Sequence, residues 1–508
     1  MSKNNELPIN ELERQKRIMS RINEMSASQK IQPLAYIDTY GCQQNESDSE
    51  KLRGMLKTMG YGPTGDEYAA DVLVVNTCAI RENAENRVYG NVGELLHTKK
   101  AKPSQIIALC GCMAAIPEVA EKIGQSYKHV DFLFPPNMIW RFPEMLYSAI
   151  FHEPYTEPYT GTIRETNSEP YTGTTREPYS KPYDESSIDP NPTFAPGGIA
   201  GEAYIIEGLP QEREGTVKAW LPIMYGCNNY CSYCIVPYVR GRERSRKPEA
   251  VLDEARKLVA DGYKDITLLG QNVNSYGAGQ GGGVDFSELI RQINGIQGEF
   301  LIRFMTSHPK DASSKLFLAM AECEKAARHI HLPFQAGNDR ILRLMNRGYS
   351  QSEYLEKINV ARELMPDIVI TSDVIVGFPG ETDAEFEDTL RLVEKAQFDA
   401  MFTFIFSKRP GTPAAGLTET VTREEKQARF DRLLELQNSI SAKKHSHYVG
   451  KTLRVLIDGI SDDGPYPLKA RTNGGRLVHL EETAGQIGSF IDAEITHNNS
   501  WSLFGTAK

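Results

Sequence analysis

The sequence lacks any continuous run of eighteen apolar residues, so we expect no membrane-spanning helix. Its opening stretch, MSKNNELPINELERQKRIMSRINEM, is polar and charged and has no apolar segment of the kind that secretory signal peptides carry. We therefore expect a cytoplasmic protein with reduced thiols. Its eight cysteines are then candidates for metal ligation, redox chemistry or simple burial, and not for structural disulfides.

An excess of basic residues is also lacking. Lysine and arginine number 57 against 67 aspartate and glutamate residues, and the formal net charge of −10 argues weakly against a polyanionic partner. Half of that charge lies in residues 152–200, which hold eight acidic and three basic residues. The rest of the chain is only mildly acidic, and a local basic patch could still bind RNA.

At 508 residues the chain is too long for one hydrophobic core, and its patterning predicts an α/β protein of three domains. Residues 1–32 form a polar leader in which apolar residues could make one stripe of a docking or frayed helix. The stripe consists of Leu12, Ile18, Met19, Ile22 and Met25. Residues 33–151 alternate apolar strands with helical stretches, which predicts a parallel sheet.

Residues 152–212 are interpreted as a disordered linker, because the unit Glu-Pro-Tyr-Thr recurs and the segment has little to bury. Residues 213–446 contain six β/α units in series. Such a series predicts a partial (β/α)6 barrel with its chemistry at the C-terminal ends of the strands. Residues 447–508 carry short strands and turn residues, as in a small β-barrel.

The stretch YGCNNYCSYC places Cys227, Cys231 and Cys234 in one short loop and supplies no fourth cysteine. A C-x3-C-x2-C loop can wrap three corners of an iron–sulfur cubane and leave one iron open for a substrate or cofactor. A zinc site or plain burial are the alternatives, but zinc would need a fourth ligand nearby. With Tyr233 before the last cysteine, the loop carries the radical S-adenosylmethionine (SAM) signature.

Three further cysteines, Cys42, Cys78 and Cys112, each follow a predicted strand of the first domain. Because the C-terminal ends of parallel strands meet at one edge of a sheet, we expect a second cluster with three ligands there. Cys110 is a possible rival ligand, since residues two apart in a strand share a face. Cys323 lies in a helix-like stretch, where we expect it simply to be packed.

The motifs TYGCQQNESDSE, NTCAIRENAE, YGCNNYCSYCIVPYVRGRERSR and HLPFQAGNDRILRLMNRGY resemble those of the radical-SAM methylthiotransferases. The resemblance extends from Leu34 to Trp501 and leaves out the leader and the linker. It implies a methylthio transfer to tRNA, converting N6-dimethylallyladenosine at position 37 to its 2-methylthio derivative. The first two motifs favour this substrate over threonylcarbamoyl-adenosine of tRNA or a ribosomal protein, on which related enzymes act. A non-catalytic, zinc-bearing RNA-binding protein is the alternative of another class.

The resemblance also implies cofactors and partners. Cys42, Cys78 and Cys112 would hold an auxiliary [4Fe–4S] cluster, and Cys227, Cys231 and Cys234 the SAM-binding, radical-generating one, with two SAM molecules used per turnover. The expected partners are the tRNA anticodon loop, an electron donor and iron–sulfur or sulfur-delivery proteins. The protein is expected to be a monomer without membrane contact.

Several polar or strand-end residues of the second domain are candidates for SAM contacts by the same resemblance, with hydrogen bonding inside the barrel mouth as the alternative. They are Gln271, Asn272, Ser307, Gln335, Asp373, Ile375 and Gly377. His308, His331 and Arg347 could belong to the same mouth.

A basic run follows the second cysteine loop and predicts contacts with RNA phosphates, although such runs are usually solvated faces. Its members are Arg240, Arg242, Arg244, Arg246 and Lys247. The C-terminal segment resembles a TRAM domain, an RNA-binding module.

Overall fold

The computed structural model describes residues 6–79, 82–156, 204–278, 283–461, 464–480 and 485–508, without the side chains of residues 82–86. The chain divides into two compact units. The first extends to Arg213 and also takes in Tyr238–Gly241, and the second comprises Glu214–Pro237 and Arg242–Lys508. The four residues Tyr238–Gly241, which follow the second cysteine loop, group with the first unit, and residues 447–508 group with the second.

The α-helices of the described residues are α1 (Ile9–Ser28), α2 (Gln43–Thr58), α3 (Glu82–Ala101), α4 (Pro117–Ser126), α5 (Phe142–Phe151), α6 (Val236–Arg240), α7 (Pro248–Ala260), α8 (Phe286–Asn294), α9 (Ser314–Glu322), α10 (Asp339–Leu344), α11 (Gln351–Leu364), α12 (Asp383–Ala396) and α13 (Arg423–Ser446). Capping boxes begin α11, α12 and α13, where Ser350, Thr382 and Thr422 each accept from the backbone three residues on.

The strands are β1 (Leu34–Thr39), β2 (Gly62–Pro63), β3 (Val72–Thr77), β4 (Ile106–Gly111), β5 (Phe132–Phe134), β6 (Lys218–Pro222), β7 (Met224–Tyr225), β8 (Arg244–Ser245), β9 (Asp265–Leu269), β10 (Leu301–Phe304), β11 (His329–His331), β12 (Val369–Val376), β13 (Ala400–Ile405), β14 (Thr452–Ile460), β15 (Leu468–Thr472), β16 (Leu477–Leu480), β17 (Phe490–Asn498) and β18 (Leu503–Ala507).

The first unit is built on a parallel sheet with strand order β2-β1-β3-β4-β5. Every residue of the central strand β3 is buried, which accounts for its continuous apolar sequence. The predicted helical stripe of the leader is confirmed, because Ile18, Met19 and Ile22 of α1 join the core of this unit.

Part of the predicted linker is packed in the first unit, which corrects the prediction that all of 152–212 is disordered. The backbone of Leu7 donates to Ile205, and that of Glu212 donates to Glu50 of α2. The buried carboxylate of Glu50 also accepts from Gln211 at 2.7 Å and pairs with Arg213 at 3.2 Å. Residues 157–203, with most of the Glu-Pro-Tyr repeats, lie outside the described residues.

The second unit contains the predicted β/α series. Its six strands form two parallel sheets, β6-β9-β10 and β11-β12-β13, and helices α7 to α13 alternate with or follow them. An isolated parallel β-bridge joins Ile302 of β10 to Ala326, which lies shortly before β11. The partial (β/α)6 barrel expected from the sequence is confirmed.

The chain ends in a closed barrel with strand order β14-β15-β16-β18-β17, as predicted. Its interior is apolar, with Val455, Ile457 and Leu480 almost wholly buried. The barrel packs within the second unit, where Arg303 of β10 donates to the carbonyl oxygens of Thr472 and Asn473. Across the described residues, no helix combines the length and the hydropathy that crossing a bilayer requires.

Candidate functional site

Two cysteine-bearing sites

The three cysteines of the first unit follow three neighbouring parallel strands. Cys42 follows β1 and caps α2, Cys78 follows β3, and Cys112 follows β4. Cys42 and Cys112 lie close enough to interact electrostatically. The strand topology therefore gathers this auxiliary trio at one edge of the sheet.

Two glycines allow the strand ends to approach so closely. Gly41 has a φ of 119°, and a Cβ placed on it would lie 2.5 Å from the Cβ and 2.9 Å from the sulfur of Cys78. Gly111 has a φ of 95°, and its Cβ would collide with the carbonyl oxygen of Thr77. A side chain at either position would push neighbouring cysteine loops apart.

One asparagine braces the loops of the auxiliary trio. The side-chain nitrogen of Asn45 donates to the carbonyl oxygens of Tyr40 and Thr77, at 2.7 and 2.9 Å. The Thr77 oxygen also accepts from the backbone N–H of Cys112 at 2.9 Å. Nearly the whole first half of α2 is polar and yet buried, so this helix forms a polar wall beside the cysteines.

Arg240, the last residue of α6, packs against these polar residues of α2, and the prediction that it contacts RNA is therefore wrong. Only 6% of the residue is exposed, and its guanidinium pairs with Asp48 at 3.1 Å and donates to the Asn45 side-chain oxygen at 2.7 Å. Burial raises the pKa of the Cys112 thiol, and the Arg240 charge and a hydrogen bond from it act in the opposite direction. Arg240 therefore serves the cysteine site and is not available to a phosphate.

Cys110, the possible rival ligand, belongs to the hydrophobic core of the first unit. It pairs with Phe134 inside the β4–β5 ladder, and burial raises the pKa of its thiol well above the usual value. Cys110 also lies near enough to Cys112, Asp48 and Arg240 to interact with them electrostatically, so it stays a possible rival ligand. Cys323 is buried in the core of the second unit, as expected.

The second trio lies in the loop that leaves β7 and returns in β8, two short strands that pair antiparallel. Cys227 and Cys231 are buried, and the pKa of the Cys227 thiol rises to about 11, chiefly through burial. The thiols of Cys227 and Cys234 both lie close enough to Cys231 to interact with it electrostatically, so the three side chains face one another. Among the described residues, no three His, Cys, Asp or Glu side chains are grouped around the position of a single metal ion.

A segment just after α10 holds this loop in place. Asn346 donates to the carbonyl oxygens of Asn229 and Tyr230, at 3.2 and 2.9 Å. Ser232 in turn donates from its hydroxyl to Leu344 at 2.8 Å and from its backbone to Met345 at 3.0 Å. The motif HLPFQAGNDRILRLMNRGY contains this segment, but its contact with the cysteine loop could not be predicted, because the two partners are more than a hundred residues apart.

Arg347 brings a positive charge to the second trio. The residue is 4% exposed, and its Nη1 lies 3.3 Å from the sulfur of Cys231. His308 lies against the same sulfur, with Nε2 at 4.0 Å. Burial and the nearby charges of Arg347 and Lys310 lower the pKa of His308 to about 2, so its imidazole is neutral.

Polar atoms at the ends of β9 and β10 are buried without a hydrogen-bond partner in the described part of the chain. They are the side-chain oxygens of Gln271, Asn272 and Ser307. The nitrogen of the Asn272 amide is held by Asp311 at 2.7 Å. Since buried polar atoms in folded proteins are nearly always paired, these three fit a polar ligand such as the amino-acid part of SAM.

Three more of the predicted SAM contacts meet at the ends of β11 and β12. Gln335 has a φ of 67°, which a non-glycine residue rarely adopts. Its backbone accepts from Ile375 and donates to Asp373, both at 2.9 Å. His331 lies beside this point, with Nε2 3.4 Å from the Asp373 carboxylate.

Gly377 is placed differently from the other candidates. Its φ is 70°, a Cβ there would strike the side chain of Lys426, and its N–H donates to the buried Glu381 carboxylate at 2.8 Å. That carboxylate is also paired with Arg429 at 2.9 Å. The glycine is needed to close this turn, and these contacts occupy its surroundings.

The rest of the basic run separates into buried and exposed members. Arg246 is 4% exposed, pairs with Glu254 at 2.8 Å and donates to the Pro222 carbonyl oxygen, so its prediction as an RNA contact is wrong. Arg244 is half-buried in β8. Arg242 and Lys247 are exposed and remain candidates for phosphate contacts.

Comparison with known proteins

Three family profiles match the chain in the order of its folded parts. They are an uncharacterized protein family, UPF0004, over residues 34–135, the radical SAM superfamily over residues 221–393, and the TRAM domain over residues 446–508. A solved radical S-adenosylmethionine methyltransferase from Kitasatospora setae has a TM-score of 0.50 at 14% identity, covering 75% of this chain and 74% of that one. That likeness concerns the fold. Fold and cysteine loop together define a radical SAM enzyme, a class that uses SAM with an iron–sulfur cluster.

Relatives of known activity match nearly the whole chain. A tRNA-2-methylthio-N(6)-dimethylallyladenosine synthase of Acetivibrio thermocellus is 44% identical over 98% of this chain and 96% of its own. The synthase of that name in Clostridium novyi is 43% identical over 92% of this chain and 95% of its own. The chain belongs to the family of tRNA-2-methylthio-N6-dimethylallyladenosine synthases, and the resemblance expected from its motifs is confirmed.

Proposed function

We propose that this protein adds a methylthio group to carbon 2 of N6-dimethylallyladenosine beside the anticodon of tRNA. The observation that carries the proposal is the presence of two separate cysteine trios at strand ends, in a chain 44% identical to a synthase of that name. The reaction replaces an aromatic C–H bond that is neither acidic nor nucleophilic. Acid–base residues alone cannot activate it, which is why two cofactor-binding sites are needed.

We assign Cys227, Cys231 and Cys234 to the SAM-binding [4Fe–4S] cluster, and Cys42, Cys78 and Cys112 to an auxiliary one. Each trio offers three cysteine sulfurs, and three sulfur ligands fit a cubane with one open iron. When bound, the clusters and two SAM molecules per turnover would supply the sulfur, the methyl group and the radical that takes the C2 hydrogen.

The chain's own residues bind and orient these groups. Asn45 and Asn346 fix the two cysteine loops, and burial of four of the six cysteines between folded segments keeps water away from them. The unpaired oxygens of Gln271, Asn272 and Ser307 would bind polar parts of SAM, beside Gln335, Asp373 and Ile375. Arg242 and Lys247 would contact the phosphates of an unpaired anticodon loop, which presents its bases at low cost.

The proposed reaction also requires partner proteins and a cellular compartment in which thiols stay reduced. An electron donor and proteins that deliver sulfur or iron–sulfur clusters are needed, because the two trios alone carry neither electrons nor a renewable sulfur source. The protein would work as a monomer in the cytoplasm, where thiols stay reduced.

Mass spectrometry of tRNA nucleosides tests the proposal. In a strain lacking this gene, N6-dimethylallyladenosine should accumulate and its 2-methylthio form should disappear. Wild-type protein and a Cys323→Ala control should restore the product, because Cys323 is packed away from both trios. Cys227→Ala and Cys78→Ala should not restore it. An unchanged nucleoside profile in the deletion strain would instead direct the search to threonylcarbamoyl-adenosine or a ribosomal protein.

Metal analysis of anaerobically purified protein separates the enzyme from a zinc-bearing binding protein. We expect about four irons per cysteine trio and a brown colour. Colourless protein that contains zinc would contradict the proposal.

A further inference from the structure

Arg347 is a buried cation that has no carboxylate partner in the described part of the chain. Its Nε lies 3.0 Å from the Tyr349 hydroxyl, and Nη2 lies 2.9 Å from the carbonyl oxygen of Pro333. Its Nη1 lies 3.3 Å from the sulfur of Cys231 and 3.5 Å from the Tyr233 hydroxyl. A guanidinium that is 4% exposed needs an anion nearby, because burying an unpaired charge is strongly unfavourable.

The other buried arginine beside a cysteine shows what a compensated charge looks like. Arg240 lies against Cys112 in the first unit, but Asp48 pairs with it at 3.1 Å. The carboxylate cancels most of the charge that the cysteine site would otherwise feel. The two trios therefore differ: one has a neutralised arginine beside it, and the other has a full positive charge.

We propose that Arg347 is the counter-cation of the iron–sulfur cluster on Cys227, Cys231 and Cys234, and that it makes this cluster easier to reduce. The inference rests on the cluster assignment of the proposed function. Reduction adds one negative charge to the cluster, and a guanidinium 3.3 Å from a ligand sulfur stabilises that charge in a poorly hydrated site. A hydrogen bond to the sulfur acts in the same direction. Arg347 is thus a positioning and electrostatic residue that acts through Cys231.

The measurement is the midpoint potential of each cluster, read by spectroscopy during redox titration without SAM. Two backgrounds isolate the clusters in the full-length chain: Cys42, Cys78 and Cys112 changed to alanine, or Cys227, Cys231 and Cys234 changed to alanine. In the first background, Arg347→Gln should disfavour reduction about tenfold, a shift of about 59 mV to more negative potential. Arg343→Gln, an exposed change on the same segment, should leave the potential in place.

Arg240→Gln together with Asp48→Asn in the second background provides the comparison. Because the charges of this pair offset each other, their joint loss should shift the auxiliary cluster by less than Arg347→Gln shifts the other. If Arg347→Gln does not fold, Arg347→Lys keeps the charge without the planar fork. That variant should then retain a potential closer to wild type than a neutral Arg347→Met variant does.

The outcomes separate this inference from the proposed function. Wild-type protein without two iron–sulfur clusters would defeat the cluster assignment itself. With both clusters present, an unchanged potential in the neutral Arg347 variants would overturn the inference. Weaker SAM binding at an unchanged potential would do the same, because it would make Arg347 a ligand for the SAM carboxylate.

Discussion

The side-chain amide of Asn45 donates to the carbonyl oxygen of Thr77, the residue before Cys78, over 2.9 Å. The same nitrogen reaches Tyr40, two residues before Cys42, so one side chain joins two strand ends. Asn346 makes an equivalent pair of bonds to Asn229 and Tyr230 in the other cysteine loop. Each cysteine site is thus held by one asparagine that binds two backbone carbonyls.

Replacing these asparagines should damage the two sites separately. Asn45→Ala leaves a buried carbonyl oxygen without one of its donors, and we expect it to lower the free energy of unfolding by about 1–3 kcal/mol. Iron should be lost from the auxiliary trio. Asn346 is exposed, so Asn346→Ala should cost about 0.5–1.5 kcal/mol and release iron from the second trio.

Denaturant unfolding and iron analysis in the single-cluster backgrounds check this expectation, and each variant is the control for the other. Equal iron loss from both trios in either variant would show that the asparagines act on the whole fold and not on one loop.

Gly41→Ala should disrupt the auxiliary trio directly. The new Cβ would lie 2.9 Å from the sulfur of Cys78, at a φ of 119° that side chains rarely adopt. We expect a loss of about 1–3 kcal/mol in the free energy of unfolding and low iron content. Gly65→Ala is the matched control, because its Cβ meets nothing within 4 Å. Normal iron content in Gly41→Ala would mean that the strand ends separate without cost.

His329 should make the second unit sensitive to acid. Burial, with the charges of Arg303, His331 and Arg476, lowers its pKa in the folded protein from 6.5 to about 3. Above pH 6.5 the imidazole is neutral in both the folded and the unfolded chain and has no effect. Below pH 6.5 only the unfolded chain takes up the proton, so stability falls until the pH reaches about 3.

The contribution of His329 to the pH dependence of stability is measured by unfolding the wild type and His329→Gln at pH 7.5 and at pH 5. Relative to the variant, the wild type should lose about 1–2 kcal/mol between the two pH values. Parallel pH profiles would show that His329 is protonated as readily in the folded state as in the unfolded one.

Arg242 and Lys247 should contribute to tRNA binding through its phosphates. Arg242→Ala and Lys247→Ala should each weaken binding and reduce the slope of log K against log salt by about 0.7–0.9. Arg256→Ala is a control of equal charge, since that arginine is exposed and pairs with Asp253 on the surface of α7. Titration of tRNA at several salt concentrations gives the slopes. A change equal to that of the control would remove these residues from the interface.

The sequence allowed the strands, the leader helix and the strand-end positions of Cys42, Cys78 and Cys112 to be predicted, because hydrophobic periodicity and strand-end position are local signals. It misled for the basic run, where Arg240 and Arg246 look exposed and are in fact buried. The burial of Arg240 depends on Asp48, which is 192 residues away in the sequence, and the burial of Arg246 depends on Glu254. No periodicity encodes such a pairing.

The roles of Asn45 and Arg347 could not be predicted for a related reason. Both act on groups that become neighbours only in the folded chain, a backbone carbonyl in one case and a thiol in the other. Cys110 was ambiguous from the sequence because its position relative to Cys112 depends on the turn at Gly111, and a positive φ is visible only in the structure.

The placement of Arg240 in the first unit affects the order in which the auxiliary cysteine site is assembled during translation. When a ribosome has released the first 213 residues, the nascent chain holds the whole sheet and the auxiliary cysteines, yet Asp48 still lacks its cation. The arginine follows only after the next cysteine loop has been synthesised. The auxiliary cysteine site therefore gains its buried cation only after the second cysteine loop has also been translated.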